Sequence, residues 1–338
     1  MKLRRELLPI VMGLVFLVVA REIYPYAGVM EPKFWDGYEV ETIATGLGGP
    51  TCLVFDGDEL LICERDGGRI LNLDGKELLT GLKAPHGLAI LEDGYVISEK
   101  GKLTKYDSDF KNPQVLVSGI PYDNHQQNAV NLLPNGTLIW HSGSTCNLCD
   151  ESDERNAALL WVNATTGEHG VLASGVRNSF DGIWLEGVGY LFSDNGQDTM
   201  GDDFPDEEVN LLVDGADYGW LVESEEDPNP AGTEAPIARW TPHSSLNGMT
   251  TRPANMPGDE YTVYATVYGS WATILPKGHQ ILKIDFTLTD NGWKGDIDVF
   301  GKDVGTPLPI TGGPDGNLYY ATFDHGGAIH VVKPEASS

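Results

Sequence analysis

The residue types best suited to chemistry cluster just past the middle of the chain. Val176-Arg177-Asn178 is followed by Ser193-Asp194-Asn195-Gly196-Gln197-Asp198, then by Asp206-Glu207-Glu208-Val209-Asn210 and Asp217-Tyr218-Gly219-Trp220. Between 194 and 217 there are nine acids and no Lys or Arg. Carboxylates at this density repel one another unless solvated or neutralised. The segment is therefore either a wholly exposed loop or a holder of Ca²⁺ through carboxylate and carbonyl oxygens. An imidazole stands upstream, in Asp123-Asn124-His125-Gln126-Gln127. With an ordinary pKa near 6.5 it can accept a proton close to neutrality, and it can equally be an idle, solvated turn histidine.

Composition limits what such groups can serve. The chain of 338 residues carries 22 Lys+Arg against 50 Asp+Glu, a formal charge of −28, so it repels phosphate backbones and acidic headgroups at long range and excludes a nucleic-acid partner. Its 41 glycines and 20 prolines, with 21% charged residues, fit a turn-rich β-protein rather than a helical bundle. Met1-Lys2-Leu3-Arg4-Arg5 followed by the 14 apolar residues Leu7 to Ala20 predicts a secretory signal peptide or a retained N-terminal membrane anchor over 1–22. That expectation places the rest of the chain in a periplasmic, extracellular or cell-surface compartment, touching a membrane only through this segment. Four cysteines in two close pairs, Cys52/Cys63 and Cys146/Cys149, then favour disulfides. Cys146-Asn147-Leu148-Cys149 could also be half a zinc site, but no second CxxC or nearby His pair completes a tetrahedron.

The elements that must position these groups repeat. A Gly-led turn, a short apolar run, a Gly-containing tight turn and further apolar runs recur from Gly46, Gly81, Gly119, Gly175, Gly248 and Gly305. Each phrase reads as three or four short strands, and a single such sheet cannot bury both faces. Six of them stacked radially can, which predicts an all-β, six-bladed β-propeller over 45–334, after a linker at 23–44. The uneven inserts 144–158 and 197–208 become loops around the central channel, where His86, after Pro85, is expected to face inward from an inner strand.

Several stretches, in this order, make the chain resemble the glucose/sorbosone dehydrogenase family of six-bladed propellers, closest to its sorbosone-dehydrogenase-like branch. They are PHGLAIL (85–91), His125 ahead of NLLPNGTL, GSTCNLCDESDERNAAL (143–159), GVRNSFDGI (175–183), SDNGQDTMGDDFPDEEVN (193–210), DYGW (217–220), YGSW (268–271) and GPDGNLYYAT (313–322). The resemblance covers about 45–333. It implies a soluble aldose dehydrogenase using pyrroloquinoline quinone (PQQ) and Ca²⁺, with His125 as the base and Arg177 and Asn178 on the quinone and carboxylate oxygens. It further implies His86, His243 and Lys277 beside the cofactor, Gly196 and Gln197 as carbonyl ligands of its Ca²⁺, and Glu208 and Tyr218 as ligands of a second calcium. The chain departs from the family at Thr306, where an arginine commonly faces the cofactor.

The expectation is thus an exported oxidoreductase that oxidises a sugar, an aldose or a sorbosone-like compound, at C1 and passes electrons to an external acceptor. Two alternatives of different class stand beside it: a non-catalytic propeller that binds glycans or a protein on its channel face, and a Ca²⁺-dependent lactonase in which the metal polarises a carbonyl.

Overall fold

The computed structural model describes residues 12–13, 31–270, 273, 277–324 and 326–336. Apart from 12–13, the expected signal or anchor lies outside the described residues, as does Trp271. From residue 31 onward every helix or strand described is a strand. The strands form six antiparallel sheets.

Four consecutive strands make each of the first four blades. Blade one is Pro50–Asp56, Glu59–Glu64, Arg69–Asn72 and Glu77–Thr80; blade two runs from Gly87–Leu91 to Gln114–Ser118; blade three from Gln127–Leu132 to His169–Ser174; blade four from Gly182–Leu185 to Ala238–Trp240. Inner and middle strands read as continuous apolar runs, such as Leu60-Leu61-Ile62-Cys63, because both faces are covered by neighbouring blades. Six apolar clusters result, one at each seam between blades. Tight Gly-containing turns connect the strands; at Gly57 the φ of +59° lies where L side chains are strained.

The ring closes with the N-terminal part of the chain, and here the structure corrects the expected linker at 23–44 over its described part, 31–44; residues 23–30 lie outside the described residues. Tyr38–Leu47 is the outer strand of blade six, paired with Gly327–Pro334, and Lys33–Phe34 adds a fifth strand to blade five through Gly292–Lys302. The reason is geometric: blade six supplies only three strands from the C-terminal end, Pro307–Gly312, Leu318–Thr322 and Gly327–Pro334, and its open edge must be paired. Both predicted disulfides are present. Cys52 and Cys63 sit directly opposite each other on the first two strands of blade one, and Cys146 and Cys149 close a four-residue loop.

Up-and-down connectivity decides where function can sit. In every blade, the entry to the first strand and the connection from second to third strand share one end of the ring. His125, Arg177-Asn178, His243 and Thr306 precede first strands, whereas 143–157, 195–206 and 268–279 are second-to-third connections. The inner strands enclose an axial cavity of about 290 Å³ below that end.

Trp140 is fully buried at the seam of blades two and three, and its indole N–H donates to Ser98 Oγ at 2.8 Å. Trp140→Ala should cost roughly 3–5 kcal/mol in a denaturant titration, as a cavity that the rigid seam cannot collapse. A loss under about 1 kcal/mol would mean that the seams are not the stabilising element.

Candidate functional site

Two cavities meet behind a common wall at this end. The larger, about 150 Å³, is lined by Asn124, His125, Arg177, Asn178, Asn195, Gly196, Asp198, Glu207, His243 and Ser245. The smaller, about 10 Å³, has room for little more than one ion or water and is walled by Arg177, Asp194, Gly196, Asp206, Glu208, Tyr218, Trp220 and Glu223. Arg177 and Gly196 belong to both. Glu207 and Glu208, adjacent on a strand, point to opposite faces and so serve one cavity each.

His125 is fixed by a hydrogen-bond chain. The Ser144 hydroxyl donates to Cys146 O at 2.7 Å, so at 2.8 Å from His125 Nδ1 its oxygen can only accept, which puts the imidazole proton on Nδ1. Nε2 keeps its lone pair, with Asn124 Nδ2 at 3.5 Å. Burial, then the nearby Arg177 charge, pushes the His125 pKa down to about 3, so the ring is neutral at working pH.

Arg177 is 3% exposed and heavily engaged. Its Nε donates to Asn147 O (3.2 Å), Nη1 to Asn195 O (3.1 Å), and Nη2 to Asn147 Oδ1 (2.7 Å) and Asp198 Oδ2 (2.8 Å). Of its five N–H donors one, on Nη1, has no partner among the described residues. Asn178 is similarly oriented: Asn128 Nδ2 donates to Ser179 O and to Asn178 Oδ1, leaving the Asn178 amide N–H groups for the cavity. The other end of Asn128 accepts from His86 Nδ1 at 2.9 Å, and His86 Nε2 is buried without a partner among the described residues. His86 lines the axial cavity rather than the larger one at the mouth.

The acid-rich segment is a folded wall, not a solvated loop. Asp194 Oδ1 accepts the backbone N–H of Asn178 (2.7 Å) and Asn195 (2.9 Å), and Oδ2 that of Arg177 (3.0 Å). Burial raises Asp194 to about 7, Glu207 to about 8, Glu208 to about 7 and Glu223 to about 8. For Glu208 the Arg239 guanidinium, 3.3 Å away, opposes the rise without cancelling it. Buried carboxyls with raised pKa values are stabilised either by holding their protons or by a nearby cation. Two buried amide oxygens, Asn195 Oδ1 and Gln197 Oε1, also lack donors among the described residues.

The remaining expected residues fall in different places. Gly196 lines both cavities, and a Cβ there would stand 2.2 Å from Pro205 Cγ, so only glycine packs. Gln197 lines neither cavity; its amide donates to Met200 Sδ. The Tyr218 hydroxyl is spent on Leu211 O and Val213 N–H, so what it can offer a cation is its backbone carbonyl. His243 Nε2 donates to Gly201 O and Phe204 O, and Lys277 Nζ to Asp202 O, so both hold the acid-rich loop from blade five. Thr306 is buried away from both cavities, its hydroxyl accepting Asp324 N–H at 3.3 Å, so position 306 brings no cation to the mouth. Ser144, Asn147, Asn128 and Glu223 were not singled out from sequence, and Asp194 only as one member of the acid-rich run. Glu223 was detectable only as a further acid beyond that run, and the others present ordinary amide, hydroxyl or carbonyl groups.

No protein-family model matches the chain. An uncharacterised protein of Borreliella burgdorferi is 27% identical over 271 residues, covering 71% of this chain and 69% of that protein. The holo form of the pyranose dehydrogenase PQQ domain from Coprinopsis cinerea superposes with a TM-score of 0.75 over 90% of this chain and 97% of that domain, at 16% identity. The calcium structure of the Trichoderma reesei family AA12 carbohydrate-active enzyme gives 0.71 over 90% and 97%, at 18% identity. The PQQ-bound form of the aldose sugar dehydrogenase from Streptomyces coelicolor gives 0.65 over 90% and 100%, at 20% identity. At these identities the likeness is one of fold, and the fold is the six-bladed propeller expected from the sequence.

The raised carboxyl pKa values have a measurable consequence. Because the folded state holds these protons more tightly than the unfolded chain, their contribution to stability is full at low pH and is lost as pH rises through about 7–8. Buried neutral histidines act only below their ordinary pKa near 6.5, so the window to scan is above it. In chelator, the Tm should fall by on the order of 5 °C between pH 6.5 and 8.5, and saturating Ca²⁺ should abolish the fall. A flat profile indifferent to Ca²⁺ would contradict the cation site.

Proposed function

We propose that the protein is an exported dehydrogenase of the glucose/sorbosone type that oxidises a sugar at C1, using pyrroloquinoline quinone and Ca²⁺. The observation that carries this reading is the shared wall. One cavity presents His125, Arg177 and Asn178, and the carboxylate-walled cavity lies directly behind Arg177 and Gly196. A pyranose dehydrogenase domain and an aldose sugar dehydrogenase among the similar folds support the substrate class. The apolar run at 7–20 and the two disulfides support export.

The donor set suits the cofactor's chemistry. Arg177 Nη1 and the Asn178 amide are the free donors for quinone and carboxylate oxygens. The carbonyl of Gly196 and the carboxylates of the inner cavity suit a hard cation, which takes oxygen ligands. When bound, the quinone would supply the two-electron acceptor for the sugar carbon. The chain's own part is to bind, orient and move a proton. His125, which lines the cavity and keeps the lone pair of Nε2, takes the proton of the sugar's C1 hydroxyl as that carbon is oxidised. Ser144 and the neutralising influence of Arg177 keep the ring in the accepting tautomer and charge state. Arg177, fixed by four hydrogen bonds, holds positive charge where negative charge develops on an acceptor oxygen, without reorganising during the reaction. An external acceptor would be needed to reoxidise the bound quinone.

Reconstitution tests this directly. Protein mixed with quinone and Ca²⁺ should reduce an artificial acceptor in the presence of an aldose, and His125→Ala should lower kcat by on the order of 10²–10⁴ with an unchanged Tm. Because the folded His125 pKa is about 3, kcat/KM at saturating Ca²⁺ should show no acid limb near pH 6.5. Absence of quinone binding and of activity across aldoses would remove the proposal.

A further inference from the structure

The loop closed by Cys146 and Cys149 contacts Arg177 directly and reaches His125 through Ser144, without contributing a reactive group. Cys146 O accepts the Ser144 hydroxyl, which leaves the Ser144 oxygen to accept His125 Nδ1–H. The next residue holds Arg177 twice, through Asn147 O (3.2 Å from Nε) and Asn147 Oδ1 (2.7 Å from Nη2). Asn147 also ties this loop to blade four: its Oδ1 accepts Asp198 N–H at 3.0 Å and its O accepts Trp220 Nε1–H at 3.1 Å. Four residues thus set the tautomer of the imidazole and the position of the guanidinium together.

The backbone leading into this loop is held separately: Ser144 N–H donates to Arg177 O at 2.8 Å, Ser144 O accepts His125 N–H and Thr145 O accepts Asn124 N–H, each at 3.1 Å, while Asn147 Nδ2 donates to Thr199 Oγ1 at 3.3 Å. The loop lies in the connection 143–157 between two strands of blade three, outside any sheet, with Thr145 tied to Glu151 through its backbone N–H (2.6 Å) and hydroxyl (2.7 Å). Cys146 and Cys149 are half-buried, with Leu148 between them 51% exposed. Cys52–Cys63 contrasts with it: both cysteines are buried between paired strands of blade one. A soluble dithiol therefore meets Cys146–Cys149 first.

We propose that the Cys146–Cys149 loop is the positioning element of this site, with Asn147 the positioning residue for Arg177 and the Cys146 carbonyl, through Ser144, that for His125, and that reduction of its disulfide loosens both. This rests on the reading of His125 and Arg177 as the functional pair. Reduction is an exchange with a dithiol. One dithiol sulfur attacks the Cys146–Cys149 bond to give a mixed disulfide, and the second displaces the remaining cysteine. The protein gains two electrons and two protons, and the dithiol leaves as a cyclic disulfide. Because the crosslink encloses so few residues it constrains the unfolded chain little, so its loss should disturb the site more than the global stability.

The experiment has two arms. Long-range ¹⁵N–¹H correlation of the His125 ring, on protein free of cofactor, should show a single Nδ1–H tautomer. Mild dithiothreitol treatment, or the pair Cys146→Ser and Cys149→Ser, should turn it into a mixture. In the second arm, absorbance titration with pyrroloquinoline quinone in Ca²⁺ should show Asn147→Ala weakening binding by about tenfold, the loss of one charge-assisted hydrogen bond, and Asn147→Asp recovering most of it. The Tm should move little in either case. A His125 tautomer unchanged by reduction, or a quinone affinity indifferent to Asn147→Ala, would overturn the proposal. Should the double serine variant not fold, reduction of the folded wild-type protein decides the first arm. Should wild type bind no quinone, the functional reading falls, and the tautomer arm still decides whether the loop positions His125.

Discussion

Burying charge is expensive, and this protein buries a guanidinium and several carboxyls at one seam of its ring. Arg177 is shut away from water between blades three and four, and the backbone of Arg177, Asn178 and Asn195 hangs on the single carboxyl of Asp194. One buried arginine does not balance Asp194, Glu207, Glu208 and Glu223, and the fold leaves their proton affinities raised. Such an arrangement is stable when protons or a cation supply the missing positive charge. In the proposed reading, the same imbalance that costs stability at high pH is what draws a cation to the wall that the two cavities share.

The ring explains why these groups can meet at all. Residues far apart in sequence, from His125 to Ser245, reach one cavity because strand entries and second-to-third connections all emerge at the same end. Blade seams filled by apolar side chains leave the inner strands no freedom to shift, so the loops stand on fixed posts. Loop residues then hold each other: His243 and Lys277 reach from blade five to backbone carbonyls of the acid-rich loop, and Asn147 reaches from blade three to Arg177 and Asp198.

Much of this was legible beforehand, for identifiable reasons. Six turn-and-strand phrases announced six blades, because a blade is a local unit whose turns require glycine. Tyr38–Leu47 escaped notice because closure is non-local: its partner, Gly327–Pro334, lies at the other end of the chain, and no repeat phrase contains both. Of the expected site residues, His125, Arg177 and Asn178, whose side chains offer a base and donors, and Gly196, expected only through the resemblance, line one cavity. Those acting through backbone carbonyls or orienting hydroxyls and amides, such as Cys146, Ser144 and Asn147, carry no signature in side-chain identity. Tyr218 shows the converse: its hydroxyl is committed to the Leu211–Val213 backbone, so anything it gives a cation comes from the main chain, whereas Gln197 commits only its amide N–H, to Met200, and its Oε1 has no donor among the described residues.

The central claim is that an imidazole, a guanidinium and a divalent ion surround one redox-active guest at a single end of the ring. A crystal structure of the protein soaked with Ca²⁺ and pyrroloquinoline quinone tests it most directly. The account predicts quinone density in contact with Arg177 and Asn178, His125 Nε2 facing it, and an ion bound by oxygens at the wall shared with Gly196. Quinone at another face, or an ion-free wall with all its carboxyls protonated at saturating Ca²⁺, would contradict it.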